Sequence, residues 1–168
     1  MSKDISSTEA LAAKARQRAA NAPPGSDDAE RSLGLVAGLT SQVGATVASS
    51  DPAVSMRYRA GYLGGNLAAN LILLRGSIRP DLFMAAIAYG SALATPEGQR
   101  ALLAAPDPVN AHTYACVLAH KHGAVIDERD EADIFTWLVR LRQVTPTAEL
   151  TARYERMRAR RLQRLGPA

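Results

Sequence analysis

Apolar positions along this chain recur at three- and four-residue steps, which is the spacing of helices with one core-facing side. Leu63, Leu67, Leu71 and Leu74 fall on one side of one segment. Leu82, Ala86, Ile87 and Leu93 populate a second. Ile134, Phe135, Leu138 and Leu141 form one stripe of a third, with Trp137 at its margin. No segment has a convincing two-residue alternation. Residues 123–126 are the only strand candidate, and they are too short to build a sheet alone.

Proline and capping residues punctuate these patterns. Asp51-Pro52, Thr95-Pro96, Asp107-Pro108 and Thr145-Pro146 each join a side-chain oxygen to a proline. The oxygen can accept a free N–H of the first turn, and proline tolerates the first helical position because it lacks that N–H. Arg79-Pro80-Asp81 reads as a further start, with an acid placed to suit the helix dipole. Ser6 with Glu9 reads as a capping box. The chain therefore predicts helices over residues 7–21, 27–49, 52–75, 80–94, 96–105, 108–122, 128–143 and 146–165, the third stopping at Gly76 and the sixth at Gly123.

Small residues crowd the second and third of these helices: Gly34, Ala37, Gly38 and Gly44, then Ala60, Gly61, Gly64, Gly65 and Ala68. A glycine inside a helix costs about 1 kcal/mol relative to alanine. Close approach of two helix backbones offsets such a cost, and Gly64-Gly65 could also mark a kink. No strand precedes either run, so neither reads as a phosphate-binding loop.

Composition fits this picture. The chain has 168 residues, 47% of them hydrophobic and 21% charged, which suits one globular domain. Only 5% are aromatic, favouring close-packed helices over a core of large rings. Cys116 is the only cysteine, so no internal disulfide can form. The first residues include an acid and no apolar run, so no secretory leader is expected and the chain reads as cytoplasmic. Residues 60–74 and 82–94 carry no charge, but both fall short of the ~20 apolar residues of a bilayer span. Asn66 and Asn70 would also be penalised in hydrocarbon, so membrane insertion is disfavoured.

Charge changes the picture most. Residues 1–145 hold 14 Lys or Arg and 14 Asp or Glu, so the formal net charge of +4 lies wholly in residues 146–168. At about 100° per residue, Arg153, Arg156, Arg160 and Arg164 fall within an arc of about 80°. Leu150, Tyr154, Met157 and Leu165 group on an adjoining face, with Arg158 and Arg161 among them. A narrow apolar seam beside an arginine ridge suits docking on phosphates or carboxylates. The alternative is a solvated final helix whose arginines favour its negative C-terminal end. Only Tyr154 could stack on a base here, which argues against specific single-strand recognition.

Three further groupings carry candidate chemistry. His112, Cys116 and His120 lie at i, i+4 and i+8 on one helix, with His122 nearby. Their types suit zinc or copper, although each step drifts about 40° and no paired motif supports a site. A Cys116–histidine nucleophile pair is conceivable, but no oxyanion hole accompanies it. The acidic run at residues 127–133 lacks the pattern of a calcium loop and is expected to cap the seventh helix, or to meet an arginine ridge of its own or a neighbouring chain. Arg57 and Tyr58, with Arg59 and Tyr62, form an Arg/Tyr patch of the kind found at protein interfaces or at a core edge.

The fold expected is all-α: a single-domain orthogonal bundle of seven to eight helices with a basic C-terminal helix. Residues 1–26 form a helical arm with little apolar surface, able to order on a partner. Residues 27–145 form the core, and residues 146–168 the basic helix. The expected function is non-enzymatic and needs no cofactor. It is an interaction or assembly module that docks an acidic protein surface, or self-associates, through Arg153, Arg156, Arg160, Arg164, Tyr154 and Met157, with Arg57 and Tyr58 as a second patch. Nucleic-acid binding through the same ridge is the alternative, and a metal- or thiol-dependent role centred on Cys116, with His112 and His120, comes third.

Overall fold

A computed structural model describes residues 3–41, 54–104 and 106–165. Their backbone forms eight helices: α1 (Thr8–Asn21), α2 (Asp27–Thr40), α3 (Met56–Arg75), α4 (Pro80–Ala94), α5 (Pro96–Ala104), α6 (Val109–Lys121), α7 (Glu128–Leu141) and α8 (Ala148–Leu165). There is no strand among the described residues. Residues 123–126 are coil, and the nearest thing to a ladder is an isolated antiparallel bridge between Ile5 and Ile78. Its two hydrogen bonds, of 2.7 and 2.8 Å, tie the chain ahead of α1 to the α3–α4 turn. Among the described residues, no helix is long and apolar enough to cross a membrane.

Helix starts follow the capping logic, with shifts of register. Ser7, rather than Ser6, caps α1 by accepting from Ala10 N. Ser26 caps α2 in the same way. Ser55 caps α3 and sets its start at Met56; the Asp51-Pro52 pair and Gly44 lie outside the described residues. Thr95 Oγ1 accepts from Gly98 N at 3.0 Å, as expected for α5. At α8 the acceptor is Thr147, bonded to Leu150 N at 3.1 Å, and not Thr145. In each shifted case a Ser or Thr next to the helix wins, because the cap oxygen must lie three residues before the N–H that it accepts. Gly76 stops α3 with φ of 81°, a left-handed conformation that only glycine adopts cheaply.

The glycine-rich helices interlock backbone to backbone. A Cβ added to Gly34 or Gly38 of α2 would overlap the carbonyl oxygen of Tyr58 or Tyr62 on α3. From the other side, a Cβ on Gly61 would overlap Arg31 O, and one on Gly65 would lie 2.8 Å from Leu35 O. The α3–α4 crossing uses the same device, with Gly90 seated against the Gly64 backbone. Gly64-Gly65 therefore serve close packing, and α3 runs on as one helix through them.

The main core forms where α3, α4, α6 and α7 meet. Leu63, Leu67, Leu71, Leu82, Tyr89, Leu93, Ile134 and Leu138 are all buried there. Two sequence expectations change. Trp137 is buried in the core rather than marginal to it. Leu74 is 64% exposed, because that face is uncovered in the last turn of α3. Asn66 is buried and joins three helices: it accepts from Trp137 Nε1 at 2.9 Å and donates to Gly38 O and Ser41 O. The polar residue that spoils a bilayer span is here a satisfied core bridge. α1 packs on α2 through Ala12 and Ala15, and Arg18 pairs with Asp28 at 2.9 Å.

Because a methyl group at the α2–α3 crossing meets backbone and cannot be avoided by a rotamer change, Gly38→Ala or Gly61→Ala should destabilise the fold by about 1–3 kcal/mol or more. Urea unfolding monitored by circular dichroism measures this directly. The midpoint should fall in both variants while the slope stays that of the parent.

Candidate functional site

Two constellations carry polar chemistry, and α8 joins them. Its apolar seam does not await an outside surface. Leu150, Tyr154 and Met157 pack on Val109 of α6 and on Phe135 and Val139 of α7. The Tyr154 and Phe135 rings stack at 4.4 Å. The side chain of Leu165 lies outside the described residues.

Beneath this seam lies a buried hub around Glu131. Arg161 of α8 donates from Nη2 to Glu131 Oε1, and Arg158 Nε lies 3.4 Å from the same oxygen. The other oxygen, Oε2, accepts from Tyr154 Oη at 3.1 Å and lies 3.1 Å from His112 Nε2. His112 Nδ1 in turn lies 2.8 Å from Tyr89 Oη, and Cys116 Sγ sits 3.4 Å from Nε2. An ionised carboxylate can only accept, so the His112 proton belongs on Nε2 and Tyr89 donates to Nδ1. His112 is 1% exposed and Arg161 5% exposed.

The electrostatics follow from this burial. Burial raises the Glu131 carboxyl, but hydrogen bonds from His112 and Arg161 outweigh it and hold the group at about 2, below the ordinary 4.5. Burial lowers His112, keeping it neutral against the pull of Glu131. Burial also pushes the Cys116 thiol up to about 12. Tyr154 is raised by burial and by the neighbouring Glu131 charge. A second ion-pair group uses the carboxylates on either side of Glu131 in the same acidic run. Arg75 pairs with Asp130 at 2.7 Å and Asp133 at 2.6 Å, and Arg79 pairs with Asp130 at 2.9 Å. Asp127 caps α7 by accepting from Asp130 N at 2.8 Å. The run therefore caps its helix and also binds arginines of its own chain.

The residues that could hold a metal are His112, Cys116 and Glu131, whose ligand atoms all lie within 4.8 Å of one another. The sequence offered His112, Cys116 and His120; the accumulated drift along α6 leaves His120 exposed and away from the pair. The spacings of 3.1 and 3.4 Å resemble ligand–ligand edges around a tetrahedral ion, about 3.3 Å for bonds of ~2.0 Å. Charge argues the other way. Glu131 already faces two guanidinium groups, so a divalent ion with a thiolate would leave excess positive charge in a dry interior. A thiol pushed to about 12 is likewise not an activated nucleophile. The cluster sets one buried carboxylate between two guanidinium groups and clamps α8 to α6 and α7.

The second constellation is the outer face of α8. Arg156, Arg160 and Arg164 are exposed, one turn apart, and none is paired with a described residue. Arg153, the fourth member of the predicted ridge, is half-buried, forms an ion pair with Asp107 and reaches Asn110 Oδ1 at 3.5 Å. Tyr154 is turned inward, and Met157 is half-buried in the seam. Arg57 lies 3.5 Å from Asp27, and Tyr58 is half-buried against Tyr62 with ring centroids 6.4 Å apart. Comparisons with protein-family models, curated proteins and solved structures found no match.

Glu131, Tyr89 and the inward arginines were missed as a unit by sequence reasoning. A signal was present: Asp130 and Glu131 fall on the apolar stripe of α7, and Arg158 and Arg161 on the apolar seam of α8. Charges on two apolar faces call for each other.

Two outcomes test the hub. Glu131→Gln leaves the Arg161 charge buried and unmatched, so it should lose about 3–5 kcal/mol of stability. The folded group ionises below its ordinary 4.5, at about 2, so its contribution is complete above 4.5 and fades as pH falls through 2. Wild-type stability should accordingly drop along this acid limb, and Glu131→Gln should flatten it in pH-dependent urea titrations. Cys116 should resist Ellman's reagent in the native protein and react stoichiometrically once guanidinium unfolds it.

Proposed function

We propose that this protein is a non-enzymatic interaction or assembly module whose docking element is the outer arginine face of α8. The supporting observation is the division of that helix. Its inward arginines are matched by Glu131 and Arg153 by Asp107, whereas Arg156, Arg160 and Arg164 stand exposed in one row. Like charges at i, i+4 spacing repel within a helix. The fold carries that repulsion with no described counter-charge, and an acidic partner would relieve it. α8 is anchored through Leu150, Tyr154 and the hub, so the row is presented from a fixed backbone, which lowers the ordering cost of binding.

The partner favoured is an acidic protein surface. Tyr154, the one aromatic that could stack on a base here, is inside the molecule, so recognition of unpaired bases has no platform. The positive row would suit phosphates as charges alone.

The test replaces the row and leaves the anchor. In the triple variant R156Q/R160Q/R164Q the fold should be unchanged, while binding to poly-L-glutamate at low salt should weaken about ten- to a hundredfold. Nuclease-treated extract of the native host, passed over both proteins, should yield acidic partners held by the wild type only. If random duplex DNA binds more tightly than poly-glutamate, with a log–log salt slope of about −2.7 for three phosphate contacts, the acidic-protein reading is wrong and nucleic acid takes its place. Equal binding by wild type and variant removes the ridge from recognition altogether.

A further inference from the structure

Away from α8, a cavity of about 340 Å³ opens where α2, α3, α4 and the end of α6 converge. That volume lies within the range of small-molecule pockets. Its wall is divided by chemistry. Ala88, with Ala60, Ala92 and Leu118, supplies an apolar floor, and Arg31 and Arg57 supply a cationic rim beside the His122 ring. Ser91 adds a hydroxyl. Among the described residues no carboxylate lines the space. Arg31 is exposed and has no ion-pair partner among the described residues. Arg57 is held only by Asp27 at 3.5 Å, a carboxylate that lies outside the lining. Met56 and Arg57 belong to the first turn of α3, so the positive end of that helix dipole also faces this rim.

From this lining we infer that the cavity binds a small amphipathic anion, with a carboxylate or phosphate head on Arg31 and Arg57 and an apolar body on the alanine floor. Arg31 has no competing acid among the described residues and Arg57 has only the 3.5 Å contact to Asp27, so the pair favours a negative head group, and their fork geometry suits planar carboxylates and phosphates alike. The floor offers no hydrogen-bond partner from its side chains, so the rest of the ligand is hydrocarbon or aromatic. The enclosed volume admits a small molecule and excludes a folded partner. The site is separate from the α8 row, so the two readings stand or fall independently.

The probe is 8-anilino-1-naphthalenesulfonate, an aromatic body with one anionic head, titrated into the full chain at low salt with fluorescence as readout. Saturable one-to-one binding is expected, displaced by decanoate or by octyl phosphate; which of the two displaces better identifies the head group. R31Q/R57Q should weaken binding at least about tenfold, and Ala88→Phe, which fills the floor, should abolish it with the helical circular dichroism spectrum unchanged. R156Q/R160Q/R164Q should bind the probe like the wild type. If the probe does not saturate, or binds R31Q/R57Q as tightly as the wild type, the inference is overturned. If Ala88→Phe fails to fold, the arginine variant decides alone.

Discussion

One buried carboxylate holds α8 to the body of the molecule. Glu131 sits on the core-facing stripe of α7, where an unmatched charge would be costly. α8 brings Arg161, Arg158 and Tyr154 to it, and α6 brings His112. Each partner needs the others. Without Glu131, Arg161 would be a stranded cation. Without Arg161, the carboxylate would lose a charge-assisted hydrogen bond in a buried site. His112 stays neutral between Tyr89 and Glu131 because each of its ring nitrogens has a defined role. Such a network tolerates little rearrangement, and it fixes the rotation of α8 about its own axis. That rotation decides which arginines face inward and which face solvent.

The two halves of the fold reach rigidity by different means. Around α7 and α8, stability comes from charge pairing inside an aromatic shell of Tyr89, Phe135, Tyr154 and the His112 ring. Around α2, α3 and α4 it comes from the lack of side chains, since glycines let backbones touch. Tyr89, Phe135 and Tyr154 gather at the polar hub, while glycines set the α2–α3 and α3–α4 crossings. Asn66 and Trp137 join the two regions by a single hydrogen bond across the core.

Much of the architecture could be read from residue spacing. Proline with a neighbouring cap, glycine at helix ends and apolar three–four periodicity are local signals, and they placed the eight helix starts to within a few residues, whereas α2, expected to run to residue 49, ends at Thr40 with Ser41 extended. Ser55, directly ahead of Met56, caps α3, while the Asp51-Pro52 pair lies outside the described residues. The pairing of Glu131 with Arg161 is a different kind of fact. It joins residues thirty positions apart, and no periodicity reports which buried acid meets which buried base. The exposed row was readable because it depends only on helical angle. Arg153 left that row because Asp107, on a separate loop, happens to lie beside it. His120 misled for a related reason: equal steps along a helix suggest one shared face, yet they spiral away from it.

The contact between Gly61 and the Arg31 carbonyl has a reach beyond the crossing itself. Arg57 stands one turn before Gly61, and Arg31 carries the very oxygen that Gly61 touches. The hydrogen atoms on the Gly61 α-carbon thus act as the spacer that sets how far apart two cationic stems emerge. The gauge of the proposed anion clamp is written in a position that bears no functional group at all.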